Sequence, residues 1–361
     1  MSGHSLEPEE LISRLSHRPS HLIRAMIKMP DANAAAPSRR VRADRVSSLG
    51  ALDRLPPEIM SMVLGMLDIQ SNVHFAAVSC RASAFVQSQR AYRDLVAIAP
   101  QALAALPKVG LLGLHSITKL HGALRTQRCA ACTEYGPFLF LPTGERCCWE
   151  CLRYHPSFRM VLPREAKRYF GLGERHLKQL PTLHVIPGRY GISPNVAPEN
   201  CRLVSAKLAR ALGLTLHGSA EKLSQALART CKSAGLLATG RYFQSEPEVP
   251  PGQDSLLLPC QGNIPPDKFF GMASIPFPSL SKSGRIEQGL WCRGCETVLR
   301  LHDSLRLPSE VLVAVVPGSL EPMRVLLGLE RRARSRESFL HHVRHCYGAR
   351  QMVPELAAGM E

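Results

Sequence analysis

The residues of this chain best suited to chemistry are its cysteines, twelve among 361 residues. Five of them crowd into "RCAACTEYGPFLFLPTGERCCWEC", residues 128–151. Cys129 and Cys132 are separated by two residues, fifteen residues follow, and Cys148 and Cys151 repeat the two-residue gap. Such a gap lets both thiolates of one tight turn face the same metal ion at about 2.3 Å. Two such knuckles complete a tetrahedron. Four thiolates leave no open coordination position, so zinc held here would be structural rather than catalytic. Metal binding in so small a unit supplies folding free energy directly. Cys147 is the surplus thiol, because Cys148 gives the two-residue gap with Cys151. His155 is the nearest other donor. Between the knuckles, "FLFL" reads as a strand, "PTGE" as a turn and Arg146 onward as the return strand of a β-ribbon.

A second set joins Cys292 and Cys295 in "WCRGC" to His342 and Cys346 in "FLHHVRHC". A histidine and a cysteine four apart lie on one face of a helix. The intervening segment is forty-six residues long, residues 296–341. Loop-closure entropy grows slowly with length, so a Cys3His zinc site is sterically accessible. His341 and His345 are rival ligands. Cys80, Cys201, Cys231 and Cys260 stand alone and read as ordinary thiols. The chain has no phosphate-cradling glycine motif and no His-Glu-x-x-His pair. No cysteine is flanked by an evident base and orienting group. No catalytic role is expected.

The elements that must position these ligands are mainly α, with small zinc-stabilised β-ribbon pieces. Residues 1–48 read as a disordered basic tail, although 11–29 are amphipathic. Residues 49–99 read as a three-helix domain. "LPPEI" is a helix start, with proline in the first turn and Glu58 near the positive end of the dipole. Met60, Val63, Leu64 and Leu67 then share a face. A second stripe runs through Val78, Ala82, Phe85, Tyr92 and Val96. Residues 100–173 form the zinc-ribbon module, closed by the helix "LPREAKRYFGL" ending at Gly171. Residues 174–284 are mixed: "LPTLHVIPGRYGISP" is extended, "CRLVSAKLARALGL" is helical, and 244–255 and 264–284 read as exposed loops. Residues 285–352 form a C-terminal module ending in the helix "LGLERRARSRESFLHHVRHCYGARQM".

The helical domain resembles an F-box. Leu55-Pro56-Pro57-Glu58-Ile59, Leu64, Leu67-Asp68 and Val78-Ser79 carry the likeness, which covers residues 52–95. It departs at Ala82, where the family commonly has a bulky aromatic. The resemblance implies docking onto a Skp-family adaptor and, through it, a cullin–RING ubiquitin ligase, with Leu55, Pro56, Ile59 and Leu67 as docking residues. Beyond that domain the chain looks like fungal F-box proteins with cysteine-rich middles. The likeness rests on "CAAC…RCCWECL", "AKRYFGL", "LKQLPTLHVIPGRYG" and "WCRGC…FLHHVRHC". It implies a substrate receptor for an unidentified protein target, with ligase chemistry supplied by partner subunits.

Composition bounds the rest. Net charge is +16, which favours acidic partners. Nineteen Lys/Arg against seven Asp/Glu fall between Lys108 and Lys232, around and after the first cysteine cluster. The runner-up reading is therefore a zinc-stabilised nucleic-acid-binding protein, or a scaffold without a ubiquitin link. Against nucleic acid, aromatic residues are only 6% of the chain, few of them placed to stack bases. No apolar run approaches a membrane span of about 18 residues, and the N-terminus lacks a signal-peptide pattern. A cytoplasmic or nuclear setting is expected, where cysteines are more often thiols and metal ligands than disulfides.

Overall fold

A computed structural model of the protein describes residues 7–29, 47–192, 195–245, 264–318 and 320–356. Among these, helices predominate, joined by small antiparallel sheets. Cys260 and most of the loop expected over 244–255 lie outside the described residues.

The first difference from expectation is at the N-terminus. Residues 7–29 are folded. A helix, Pro8–Leu15, buries Leu11 and Leu15 against Phe339 and Val343 near the other end of the chain. The next two residues, Ser16 and His17, pair antiparallel with Cys292 and Trp291. Leu22, Ala25, Met26 and Ile27 then enter the main core. The amphipathic pattern of 11–29 is thus the signature of a docked segment. Residues 30–46 of the expected tail lie outside the described residues.

Residues 57–98 form four helices where three were expected: Pro57–Met66, Ile69–Val78, Cys80–Ser88 and Arg90–Ile98. Caps set the breaks. The Asp68 carboxylate accepts from Ser71 N–H at 2.8 Å, and the Ser79 hydroxyl accepts from Ala82 N–H at 3.1 Å. Each satisfies a donor that the first turn of a helix leaves orphaned. The breaks rotate the second apolar stripe out of register. Val78 and Val96 face solvent, and Ala82, Val86 and Leu95 are the buried positions. On the first helix Met60 and Leu64 point inward, whereas Val63 and Leu67 do not.

The ribbon has the expected hairpin: Phe138–Phe140 pairs antiparallel with Glu145–Cys147. Its other edge carries a third strand, Ser274–Pro276, from more than a hundred residues downstream. The 264–284 segment is therefore no exposed loop. Met272, Ala273, Ile275 and Phe277 are buried in the same core as the ribbon. That core also takes in Leu106, Leu120 and Leu124 of the helices Pro100–Lys108 and Ile117–Arg125, and Trp291 beside the second knuckle.

The middle region packs a second core. The helix Pro163–Phe170 ends at Gly171 in the left-handed conformation, φ 61°, as its sequence suggested. "CRLVSAKLARALGL" divides into a strand, Arg202–Ser205, and a helix, Ala206–His217. Val204 therefore belongs to a sheet with Thr182–His184 and Met160–Val161. The terminal helix is likewise three: Pro322–Arg331, Arg336–His345 and Tyr347–Met352. Ser335 caps the second by accepting from Ser338 N–H at 3.3 Å. Just before that cap, Arg334 exchanges backbone hydrogen bonds with Leu290 at 2.9 Å, which holds the chain extended there.

Candidate metal centres

The two cysteine sets read from spacing come together as two separate groups. In each, the four ligand atoms lie within 4.8 Å of one another. A tetrahedral zinc ion bound by thiolates at about 2.3 Å requires sulfur–sulfur edges of about 3.8 Å.

In the first group the turn before the ribbon is a tight knuckle. Cys129 N–H donates to Glu134 O at 2.6 Å, Thr133 N–H donates to Cys129 O at 3.1 Å, and Thr133 takes a positive φ of 64°. The second knuckle sits where the return strand becomes the helix Trp149–Tyr154. Cys148 caps this helix, its sulfur accepting from Cys151 N–H at 3.4 Å. Cys132 and Cys148 sulfurs are 3.5 Å apart, and all four thiols are buried. Burial resists ionisation of Cys129, but hydrogen bonds with Cys132, Cys148 and Cys151 outweigh it and hold this thiol well below its ordinary range. The same bonds, seen from Cys148 and Cys151, push those two thiols well up.

Cys147 is excluded by the pleat. Its thiol is fully buried and donates across the ribbon to Phe138 O at 3.8 Å. Burial pushes it well up. His155 is also outside the group, with Nδ1 accepting from Ser157 N–H at 3.2 Å.

The second group draws on three elements. Cys292 ends the strand Trp291–Cys292, and Cys295 lies in the first turn of the helix Arg293–Asp303. His342 stands on the helix Arg336–His345, and Cys346 joins that helix to the next. Cys295 Sγ lies 3.2 Å from His342 Nε2, and Cys292 Sγ lies 3.9 Å from Cys346 Sγ. Hydrogen bonds with Cys292 and Cys295 draw Cys346 down to about 3, and the same kind of bond pushes Cys292 up. The Arg334 guanidinium reaches Cys295 Sγ at 3.9 Å. His341 and His345 are exposed and lie against each other with tilted rings, 5.1 Å between centroids, outside the group.

Two supports of these groups were not anticipated from the sequence. Arg146, beside the spare thiol, is almost fully buried. Its guanidinium donates to Ala123 O and Gly136 O at 2.6 Å each, to Phe277 O at 3.0 Å and to Pro278 O. It thereby ties the helix Ile117–Arg125, the first knuckle and the third strand together. Burial lowers its pKa to about 10, so it remains a cation at neutral pH. The second support is a backbone crossing. A Cβ on Gly294 would run into Ala349 N, and one on Gly348 into Gly294 O. Only glycine at both positions lets the knuckle helix approach the segment that carries Cys346. Adjacency to ligands was the available signal for both: "ERCC" and "CRGC…CYGA" set them in plain view.

The docking residues implied by the F-box likeness all face solvent: Leu55 is 41% exposed, Ile59 44% and Leu67 36%, with Pro56 beside them. Met62 and Met66, at 65% and 74%, extend this apolar face. Among the described residues, no helix is long and apolar enough to cross a membrane. No protein-family model, curated protein or solved structure matches the chain.

Proposed function

We propose that this protein is a non-catalytic substrate receptor of a Skp–cullin–F-box ubiquitin ligase, and that both cysteine groups hold structural zinc. The observation that carries the first part is the uncovered apolar face on the helices of residues 52–78. Scattered single exposed apolar side chains are ordinary on a protein surface, but a contiguous set marks an interaction site. The helix Pro57–Met66 turns Met60 and Leu64 inward, yet leaves Ile59, Met62, Val63 and Met66 outward. An amphipathic helix in a closed monomer would bury one stripe and make the opposite face polar. This helix is apolar on both, which suits a partner's groove. The exposed positions include each residue that the F-box likeness assigns to adaptor docking.

Zinc suits both donor sets: four thiolates in one, three thiolates and an imidazole in the other. Both sets are closed. When bound, the ion supplies cross-linking of chain segments and no reaction chemistry. Cys129, Cys132, Cys148 and Cys151 would fasten the ribbon, and Cys292, Cys295, His342 and Cys346 would fasten the knuckle before the helix Arg293–Asp303 to the helix Arg336–His345.

Co-purification with a Skp-family adaptor tests the receptor reading. Wild-type protein should retain the adaptor, and the double variant Leu55→Asp, Ile59→Asp should lose it. Both residues are substantially exposed, so the variant should keep its fold. Equal retention by the two proteins, or none by either, would leave the apolar face without this role.

A further inference from the structure

A cleft of about 1000 Å³ opens between the start of the helix Pro163–Phe170, the loop after residue 195 and the segment at Lys268. Its walls are apolar at Pro163, Val196 and Phe269, and three cations stand on its rim: Arg164, Arg202 and Lys268. All three are exposed, and among the described residues none has a side-chain hydrogen bond or ion pair. Two acids adjoin them in sequence, Glu165, which also lines the cleft, and Asp267, and each has a partner of its own. Glu165 accepts from Leu162 N–H at 2.9 Å, capping its own helix. Asp267 pairs with the buried Arg159 at 3.0 Å. Glu199 stays exposed in the neighbouring loop, and the three cations outnumber Glu165 and Glu199 together.

Like charges gathered around one cleft repel until a partner neutralises them. The backbone adds a second preference. Arg189–Tyr190 and Asn195–Val196 form a two-stranded antiparallel pair. Among the described residues no strand lies on the outer edge of Asn195–Val196. Val196 is 70% exposed at that edge, beside the cleft. An unpaired edge offers main-chain hydrogen bonds to an extended segment, while the cleft selects its side chains.

We infer that this cleft receives an extended acidic peptide segment of a partner protein, with carboxylates against Arg164, Arg202 and Lys268 and alternate apolar side chains against Pro163, Val196 and Phe269. The inference rests on the proposed receptor role only in naming the partner as the ligase substrate. The binding chemistry stands without it. Single-stranded nucleic acid fits the cleft less well, because stacking needs open aromatic faces and Phe269, its aromatic wall, is half-buried against the main core.

The test is fluorescence anisotropy with the full, metal-loaded chain and a short labelled peptide of alternating aspartate and valine. Binding should weaken as salt rises. The triple reversal Arg164→Glu, Arg202→Glu, Lys268→Glu should weaken it about a hundredfold, and Val196→Asp about tenfold. These side chains are exposed, so metal content and thermal unfolding should match wild type. No measurable binding, equal binding by the triple variant, or equal binding of an asparagine–valine peptide overturns the inference. So does tighter binding of a mixed single-stranded oligonucleotide that the triple reversal abolishes. Adaptor co-purification does not involve these residues, so a failed cleft and a failed receptor role give different results.

Discussion

Cys147 and Cys148 are neighbours in sequence, and serine at one or the other should produce opposite results. Cys148 belongs to the four-sulfur group and also accepts the Cys151 N–H at 3.4 Å. Serine there leaves three thiolates, while its hydroxyl can still cap the helix. Structural zinc contributes an apparent ~10–16 kcal/mol at neutral pH in small zinc domains, against a typical net stability of ~5–15 kcal/mol. Losing that ion therefore removes as much free energy as the whole ordered state has in reserve. Cys147 faces away, with a weak contact to Phe138 O at 3.8 Å. A serine hydroxyl can make that same bond, and the smaller atom leaves only a slight void. The cost should be about 1 kcal/mol, or about 1–2 °C in melting temperature for a chain of this size. The assay is metal content of the soluble, gel-filtered protein by mass spectrometry, paired with thermal unfolding. Wild type and Cys147→Ser should both carry two metal ions per chain, and Cys148→Ser one. Should Cys148→Ser prove insoluble, serine at Cys129, Cys132 or Cys151 should behave alike, while Cys147→Ser stays soluble. Retention of two ions by Cys148→Ser would refute the ligand assignment. So would the loss of one by Cys147→Ser.

Two further outcomes follow from other parts of the molecule. Gly348→Ala places a methyl group against Gly294 O, so it should destabilise the protein by about 1–3 kcal/mol or more and weaken metal retention at the Cys292 group. Gly235→Ala, in a helix with open space around it, is the control and should be neutral or slightly stabilising. Glu330 is nearly buried on the helix Pro322–Arg331, and burial pushes its carboxyl from 4.5 up to about 7. The folded state therefore holds a proton that the unfolded chain releases. That contribution to stability is full below about pH 4.5 and is lost as pH rises through about 7. The melting temperature of Glu330→Gln, relative to wild type, should then rise between about pH 5 and about pH 8. A pH-independent difference would mean that Glu330 titrates normally.

Both ligand sets were legible in the sequence because each knuckle is local: two residues between cysteines fix the turn, whatever surrounds it. The choice of Cys148 over Cys147 followed from the same gap and agrees with the pleat, which sends adjacent side chains to opposite faces. The ribbon hairpin was legible for a similar reason. What escaped was non-local. Ser274–Pro276 is too short and too rich in turn-forming neighbours to announce a strand; its pairing with Phe138–Phe140 makes it one. The docked segment 7–29 showed only its amphipathic stripe, since its receptor surface is built from residues near 290 and 340. Helix count failed at Ser79 and Ser335, where a single capping hydroxyl interrupts a stretch that periodicity alone runs through.

The pairing of Ser16–His17 with Trp291–Cys292 has a consequence for how the chain is made. During synthesis the N-terminal segment emerges first, yet its strand partner is more than 270 residues behind it. Leu11 and Leu15 have nowhere to bury until Phe339 and Val343 have been translated. Until then the nascent chain carries this amphipathic segment undocked, a state open to chaperones and proteases. Contacts of such long sequence separation also slow closure. In the finished molecule the two ends of the described chain meet, with Arg14 and Glu355 3.9 Å apart. A transcript cut short before residue 339 would thus lose the late half of the second metal group and, with it, the seat of its own beginning.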